Sequence, residues 1–252
     1  LAINYGRMAR LRPVTGYPQA FDWTADEPAP ADDGIFRVEI DSGQTRLLVS
    51  YADLAAALKD RGQDVAGKDL FINHTLTSRD GRRVYFFVRA DFASKGTRVN
   101  VPFTMNSDGS DLSPHDLFIG GHPEWDLGAR LIGRRGPDQV LYDVTEKRIV
   151  GTLGNPALFP NPEGDIALSP DARWFVNGFR VKNRNYYAIF DRQTGAFARS
   201  DGFRCEGYTS GDLRLDAAPC WKRDAAQLLV PGLADDADRS RQLFLIDIRR
   251  AP

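Results

Sequence analysis

The sequence is poor in the features that usually mark a metalloprotein, a membrane protein or a nucleic-acid-binding protein. Its 252 residues include only three histidines and two cysteines. No apolar run reaches about 18 residues, the length that a membrane-spanning helix needs. The formal net charge is −1, without the basic excess of a nucleic-acid-binding domain. We therefore expect neither a nucleic-acid partner nor a membrane partner.

Motifs for two further classes of site are also missing. No Gly-x-Gly-x-x-Gly sequence follows a strand and no Walker loop is present, so nothing indicates a nucleotide site. No Gly-x-Ser-x-Gly elbow indicates a serine hydrolase. The two cysteines, Cys205 and Cys220, permit one disulfide, and two free thiols in a β core are an equal alternative. Cysteine usage therefore leaves the compartment open.

What is present is an ordinary globular composition with a strong hairpin signal. Hydrophobic residues make up 42% and charged residues 27% of the chain, enough for a sizeable core in one large domain or two small ones. In the stretch Phe71–Arg89, an apolar run and a β-rich run flank Asp80-Gly81, a dipeptide typical of tight hairpin turns. Three later stretches share this pattern: His122–Arg134, Asp165–Gly178 and Ala218–Gly232.

The hairpins recur at a regular spacing. The equivalent turn positions are 47, 44 and 53 residues apart, at Asp80, Leu127, Asp171 and Asp224. A second strand with a polar turn alternates with the hairpins, and its copies begin at Phe36, Phe103, Val140, Tyr187 and Leu243. A period of about 48 residues is typical of four-stranded propeller blades, whereas an immunoglobulin-type sandwich would not repeat at this length. We therefore predict an all-β fold, a β-propeller of four-stranded blades forming one domain over residues 1–252.

The repeats predict about five blades in this chain, with a half blade before residue 50 and a last blade that ends near Ile248. Four to five blades could close a ring. The half blade and the start at Leu1 favour a fragment of a larger ring that lacks N-terminal blades, which missing blades or an oligomer partner would complete. The only helix that we predict is Tyr51–Lys59. We interpret the arginines of the opening segment as solvated surface charges: Arg7, Arg10 and Arg12.

Histidines at equivalent blade positions are the candidate site. The first strand of each blade lines the central channel of a propeller, and His74 lies six residues before its turn at Asp80. The same offset in the later copies gives Gly121 (followed by His122), Asp165 and Ala218. A single histidine is usually a satisfied core residue, but two histidines and a carboxylate at matching positions favour a functional site. Cationic candidates near them are Arg89, Arg180 and Arg214.

The repeats resemble the TolB-type propellers, and more narrowly the seven-bladed polysaccharide lyases of the oligogalacturonate-lyase and ulvan-lyase group. The matching segments cover most of the chain: NYGRMARLRPVTGY, PADDGIFRVEIDSGQTRLLVSYADLA, NHTLTSRDGRRVYFFVR, FTMNSDGSDL, GHPEW, SPDARW, RLDAAPCWKRD and RQLFLIDI. The opening segment and the Asn73-His74 hairpin are the most specific of these. The resemblance implies a divergent member of this family with a periplasmic or secreted location.

The resemblance implies cleavage of uronic-acid-containing acidic oligosaccharides by β-elimination. That reaction needs a group that neutralises the uronate carboxylate, a base for the C5 proton and an acid for the leaving oxygen. The resemblance makes His74 and His122 the catalytic residues, each as base or neutraliser. It makes Trp125 a platform for a sugar ring, and Arg89 and Arg214 the groups that hold carboxylates. Asn73 of the matching hairpin and Asp165 at the equivalent blade position complete the candidate substrate-binding residues.

The sequence also departs from this family. Relatives tend to have histidine where Asp165 stands and tyrosine where Leu168 stands, and they carry a cysteine and a histidine that the segment Arg214–Trp221 lacks at those places. The remaining ligands are too few for a closed zinc site, so we expect no cofactor, and the ligand count does not support a divalent metal. Two alternatives to a lyase stay open: a non-catalytic propeller that binds an acidic glycan or a protein partner, and an interaction propeller whose histidines are merely packed.

Overall fold

The computed structural model describes residues 1–13, 15–91, 98–235 and 238–248. Over these ranges the chain forms five antiparallel sheets and two short helices, so the predicted all-β class is confirmed. The chain separates into two compact units, Leu1–Phe118 and Ile119–Pro252. The prediction of one domain over residues 1–252 stays a prediction.

The first unit contains two sheets and both helices. One sheet has three strands in the order β1-β2-β3: β1 (Ala2–Ile3), β2 (Gly34–Val38) and β3 (Thr45–Ser50). The other has four strands in the order β4-β5-β6-β7: β4 (Phe71–Thr77), β5 (Arg83–Ala90), β6 (Val99–Asn106) and β7 (Ser113–Pro114). The helices are α1 (Tyr5–Leu11) and α2 (Tyr51–Asp60).

Helix α2 confirms the predicted helix and ends one residue beyond it. Ser50 begins the helix with a capping box: its hydroxyl accepts the backbone N–H of Asp53 at 3.0 Å, and the Asp53 carboxylate accepts the N–H of Ser50 at 2.9 Å. Three apolar side chains on one face are buried in the core of the first unit: Tyr51, Leu54 and Leu58. This amphipathic spacing is what made the helix predictable.

Helix α1 was not predicted, and it overturns the interpretation of Arg7 as a surface charge. The Arg7 side chain is 0% exposed. Its guanidinium donates to four backbone carbonyls at 2.6–3.0 Å, those of Leu70, Thr24, Glu27 and Pro28. Arg10 does lie at the surface, where it pairs with Asp22 and Asp69. Arg7 therefore joins the opening helix to two later segments of its unit.

The second unit contains three sheets. The first has the order β8-β9-β10-β11: β8 (Glu124–Trp125), β9 (Arg130–Arg135), β10 (Asp138–Asp143) and β11 (Arg148–Leu153). The second has the order β12-β13-β14-β15, with β16 also paired to β14: β12 (Ile166–Leu168), β13 (Trp174–Val181), β14 (Arg184–Asp191), β15 (Phe197–Arg199) and β16 (Phe203–Arg204). The third has three strands in the order β17-β18-β19: β17 (Cys220–Trp221), β18 (Gln227–Leu233) and β19 (Arg241–Asp247).

The four predicted hairpins are the first two strands of four sheets, so the repeat is confirmed. The residue after each equivalent turn position has a left-handed backbone, with φ of 72°, 67°, 56° and 57° at Gly81, Gly128, Ala172 and Ala225. In three of the turns the aspartate carboxylate accepts the N–H two residues later, at 3.0–3.1 Å. Leu127 cannot make this bond, and Gly128 supplies the turn conformation there without strain.

Both cysteines are free thiols, as in the second of the two alternatives, but only one of them lies in the core. Cys205 is buried and Cys220 is exposed. Cys205 lies in a small apolar cluster with Leu215 and Leu233. Within the described part of the chain, no helix is long and apolar enough to cross a membrane.

Candidate functional site

The seven predicted site residues divide between the two units. Three belong to the first unit: Asn73, His74 and Arg89. Four belong to the second unit: His122, Trp125, Asp165 and Arg214. The structure brings His122, Asp165 and Arg214 together around one cavity of the second unit.

In the first unit, Asn73 and Arg89 form a buried hydrogen-bonded pair. Each is 5% exposed, and Arg89 Nη1 donates to Asn73 Oδ1 at 2.6 Å. Arg89 Nε donates to Asn100 on the next strand at 2.9 Å. Burial, followed by the charge of Arg12, lowers the pKa of Arg89 to about 10, so its guanidinium remains charged at neutral pH. Both side chains thus hold neighbouring strands together, and their contact with substrate stays a prediction.

His74 occupies a distorted position of strand β4. The pairing register shifts between Asn73 and Leu76, and the backbone φ of His74 is 56°. A left-handed conformation costs a non-glycine residue roughly 1–2 kcal/mol, and such strain is concentrated at functional positions. The imidazole is half-buried and meets Phe87 edge to face, with ring centroids 5.8 Å apart. The catalytic role of His74 stays a prediction.

The cavity of the second unit has a volume of about 280 Å³ and a polar lining. Its charged lining residues come from the segment before β8, the segment before β12, the end of β13 and the segment before β17: His122, Glu163, Asp165, Arg180, Arg214 and Asp216. A Cβ atom at Gly178 would lie 1.7 Å from the carbonyl oxygen of Ala217. Glycine at position 178 therefore allows the segment that carries Arg214 and Asp216 to approach strand β13.

The central contact of the cavity joins His122 to Asp165. His122 Nδ1 lies 2.7 Å from Asp165 Oδ1, and the histidine side chain is 46% exposed. The hydrogen bond to Asp165 raises the pKa of His122, burial opposes this increase, and the charges of Asp165, Glu163 and Asp216 add to it. Because an ionised carboxylate accepts only, Nδ1 carries the proton and Nε2 is left as the basic atom of the neutral ring.

The other two carboxylates of the cavity are paired with arginines. Arg134 Nε forms an ion pair with Glu163 Oε2, while Glu163 Oε1 accepts the backbone N–H of Gly121 at 2.9 Å. Arg214 Nε lies 2.8 Å from Asp216 Oδ2. Both carboxylates are therefore engaged by guanidinium groups of the chain itself.

Arg180, which the sequence indicated only as a cation near the site, contacts several groups around the cavity. Its guanidinium donates to three neutral acceptors: Asn185 Oδ1 at 2.9 Å, the Thr209 carbonyl at 2.8 Å and the Leu215 carbonyl. Within the described residues it forms no ion pair. Position 180 ends a hairpin strand, and sequence spacing could not show that its partners come from residues 209 and 215.

The burial of Trp125 contradicts its predicted role as a platform for a sugar ring. Its side chain is 2% exposed, and it is among the largest buried side chains of the chain. A ring enclosed in the core offers no face to a sugar, so we do not propose Trp125 as a stacking platform. Its apolar surface explains its burial.

A metal site does not fit the described residues. No group of three or more histidine, cysteine, aspartate or glutamate side chains in these ranges could hold a metal ion. His122 is tied to Asp165, and Glu163 and Asp216 are tied to arginines, so the polar side chains of the cavity are engaged with each other. We therefore derive no step through a metal.

Comparison with known proteins gives matches in structure only. No protein-family model and no curated protein matches the chain. An oligogalacturonate lyase in complex with manganese aligns with a TM-score of 0.55 and 14% identity, over 85% of this chain and 54% of the lyase chain. TolB from Acinetobacter baumannii aligns with a TM-score of 0.51 and 14% identity, over 84% of this chain and 45% of TolB.

These two structural matches indicate the fold to which the sheets belong. The chain spans about half the length of both solved structures, and at 14% identity the likeness shows the fold alone. The alternation of hairpin and third strand that the sequence predicted is the blade pattern of these proteins. The chain therefore has a β-propeller fold, similar to those of the oligogalacturonate lyase and TolB.

Proposed function

We propose that this protein is a polysaccharide lyase that cleaves uronic-acid-containing oligosaccharides by β-elimination. One observation supports it above all: His122 is hydrogen-bonded to Asp165 in a cavity that Arg180 and Arg214 also line. A histidine–carboxylate pair beside the guanidinium of Arg214 offers both the base and the counter-charge that elimination at a uronic acid requires.

In this proposal His122 is the base. Asp165 fixes the ring so that Nε2 carries the lone pair, and it stabilises the imidazolium that forms when Nε2 takes the C5 proton of the sugar. The electrons of the C5–H bond form a C4–C5 double bond as the C4–O bond to the leaving sugar breaks. The leaving oxygen receives a proton, which the imidazolium can supply where both groups lie on one face of the ring.

Arg214 is the proposed neutraliser of the uronate carboxylate. A guanidinium meets a carboxylate with two parallel hydrogen bonds, and this pairing makes the neighbouring C5 proton more acidic. Asp216 forms an ion pair with Arg214, so the uronate would compete with a carboxylate of the chain itself. His74, Asn73 and Arg89 of the first unit, and a periplasmic or secreted location, remain parts of the same proposal.

The test is the ultraviolet absorbance of the unsaturated product across pectic, ulvan and glycosaminoglycan oligosaccharides. We expect turnover of at least one uronate substrate, and a loss of roughly 100-fold or more in kcat with His122→Gln, the usual size of a general-base contribution. Asp201→Asn, an exposed carboxylate outside the cavity, is the control. No absorbance change on any substrate, or full activity of His122→Gln, would contradict the proposal.

A second function, binding of an acidic glycan without cleavage, has an observation of its own. No tyrosine is among the described residues that line the cavity, so the protonation of a leaving oxygen would depend on His122 alone. A binding protein would show affinity for uronate oligosaccharides by calorimetry without any unsaturated product. Affinity that survives Arg214→Ala would place the ligand elsewhere.

A further inference from the structure

The residues that carry Arg214 and Asp216 into the cavity form a closed loop, residues 208–216, which we call the arginine loop. The N–H of Leu215 donates to the carbonyl of Tyr208 at 2.8 Å and closes it. Leu215 is anchored in the apolar cluster of Cys205 and Leu233, against which Tyr208 packs. The place of Arg214 in the cavity therefore depends on how Leu215 is held.

Two side chains hold the backbone of Leu215. Its carbonyl accepts Asn185 Nδ2 at 3.0 Å and also Arg180 Nη2. Arg180 Nη1 donates to the carbonyl of Thr209 at 2.8 Å, near the start of the same loop. One guanidinium thus spans both ends of the arginine loop, which the single ammonium of a lysine could not do.

Arg180 and Asn185 form a unit of their own. They face each other across strands β13 and β14, and Arg180 Nε donates to Asn185 Oδ1 at 2.9 Å. The thiol of Cys205 lies 3.6 Å from the same oxygen. Because two donors face Oδ1, the amide can be oriented only with Nδ2 toward Leu215. Asn185 is 0% exposed, so it cannot itself touch a ligand.

We infer that Arg180 and Asn185 are positioning residues, which set the place of Arg214 in the cavity and thereby the affinity of the site for a uronate carboxylate. The inference deepens the proposed function and rests on it for the identity of the ligand. The positioning role rests on the hydrogen bonds to Leu215 and Thr209, which do not depend on which substrate enters the cavity. The hydrogen bonds described for the pair join Arg180 to Asn185 and both side chains to the arginine loop, whereas Asp165 holds His122 from another segment, so we expect the base to keep its chemistry when the pair is altered.

Two variants test whether the pair acts by holding the arginine loop in place, rather than through its charge or through the folding of the protein. Asn185→Asp keeps the oxygen that accepts from Arg180 but loses the donor to Leu215. Arg180→Lys keeps the charge but loses the fork that spans the loop. The control is Arg184→Lys, on the same hairpin, whose guanidinium donates to the Gly202 carbonyl at 2.7 Å outside the arginine loop.

We expect both variants to raise KM about tenfold, the effect of losing one or two hydrogen bonds that hold the loop. We expect kcat to stay within about twofold and the acid limb of the pH–rate profile to stay in place, since His122 is untouched. A loss of folded protein alone would lower the apparent kcat and leave KM unchanged, and that result would overturn the inference. Wild-type behaviour of Arg180→Lys would overturn it as well.

Hydrogen exchange tests the positioning without any substrate. The amide of Leu215 should exchange roughly ten times faster in Asn185→Asp than in wild type or Arg184→Lys. An unchanged exchange rate at residues 208–216 would refute the positioning role even if the protein cleaves uronates. Faster exchange in a protein with neither turnover nor affinity for trigalacturonate would refute the proposed function and leave the positioning of the loop supported.

Discussion

The side chain with the largest effect on His122 is Asp165, whose carboxylate lies 2.7 Å from Nδ1. The hydrogen bond to Asp165, together with the charge of its carboxylate, raises the pKa of the imidazole, and the same hydrogen bond fixes which nitrogen carries the lone pair. In the proposed lyase reaction the base must be neutral, so we expect the rate to fall as the pH decreases through the raised pKa of His122. Under this proposal Asp165 sets both the strength of the base and the pH range in which it works.

Asp165→Asn should move the acid limb of the kcat/KM profile to lower pH. Removing the charge lowers the pKa of His122 toward its ordinary value, so the ring stays neutral in more acidic solution. The amide also loses its hold on the tautomer, and we expect kcat/KM at neutral pH to decrease roughly 100-fold. The measurement is a pH–rate profile of variant and wild type, and an acid limb that stays in place would show that His122 is not the titrating base.

Sequence reasoning found His122, Asp165 and Arg214 one by one, because repeat positions could be compared along the chain. It could not find that His122 and Asp165 are partners, since they lie in the segments before strands of two different sheets and only the packing of the second unit brings them into contact. The sequence predicted that Trp125 stacks on a sugar, because sequence alone does not show whether an aromatic ring near a histidine is exposed or buried. Burial at 2% is a property of the packing.

At the scale of elements, the repeated turns were the most predictable part of the chain. Their signal is local: an aspartate that caps its own turn and a following residue with a left-handed backbone. Two of the four turns place alanine rather than glycine at this left-handed position: Ala172 and Ala225. Ala172 is buried in an apolar cluster, whereas Ala225 is only half-buried.

Ala225→Gly should stabilise the second unit. A left-handed alanine is strained by about 1–2 kcal/mol, and the greater freedom of glycine in the unfolded chain offsets part of the gain. We expect the free energy of unfolding to increase by about 0.5–1 kcal/mol in urea denaturation. Ala226→Gly is the matched control, because residue 226 is not among those with a positive φ, and it should be neutral or destabilising. A loss of stability in Ala225→Gly would contradict the strain.

Helix α1 has a feature that local sequence patterns could not predict, the burial of Arg7. Its seven residues include two arginines, and sequence reasoning treats a run of arginines as surface. Arg7 is buried because backbone carbonyls from residues 24, 27, 28 and 70 converge on its guanidinium. That convergence joins segments about 20 and 60 residues away in the chain, and no local pattern reports it.

At the scale of the molecule, each unit has its own stabilising contacts, and in the first unit Arg7 joins helix α1 to two later segments. Arg7→Met should decrease the free energy of unfolding by about 3–5 kcal/mol, because several buried carbonyls lose their donor at once. Arg10→Met, on the same helix, removes only surface ion pairs and should cost about 1 kcal/mol or less. Equal effects of the two changes in urea denaturation would mean that the carbonyls find other donors.

The two thiols differ in exposure, so their reaction with a thiol reagent can be used to follow unfolding. Cys220 is open to reagent, whereas Cys205 is enclosed and burial raises the pKa of its thiol, so little reactive thiolate is present. We expect Ellman's reagent to titrate one thiol per chain in native buffer and two in denaturant. The rate at which the second thiol appears then measures the opening of the Cys205 cluster, which is the anchor of the arginine loop. Prompt reaction of both thiols in native buffer would show that this cluster is open.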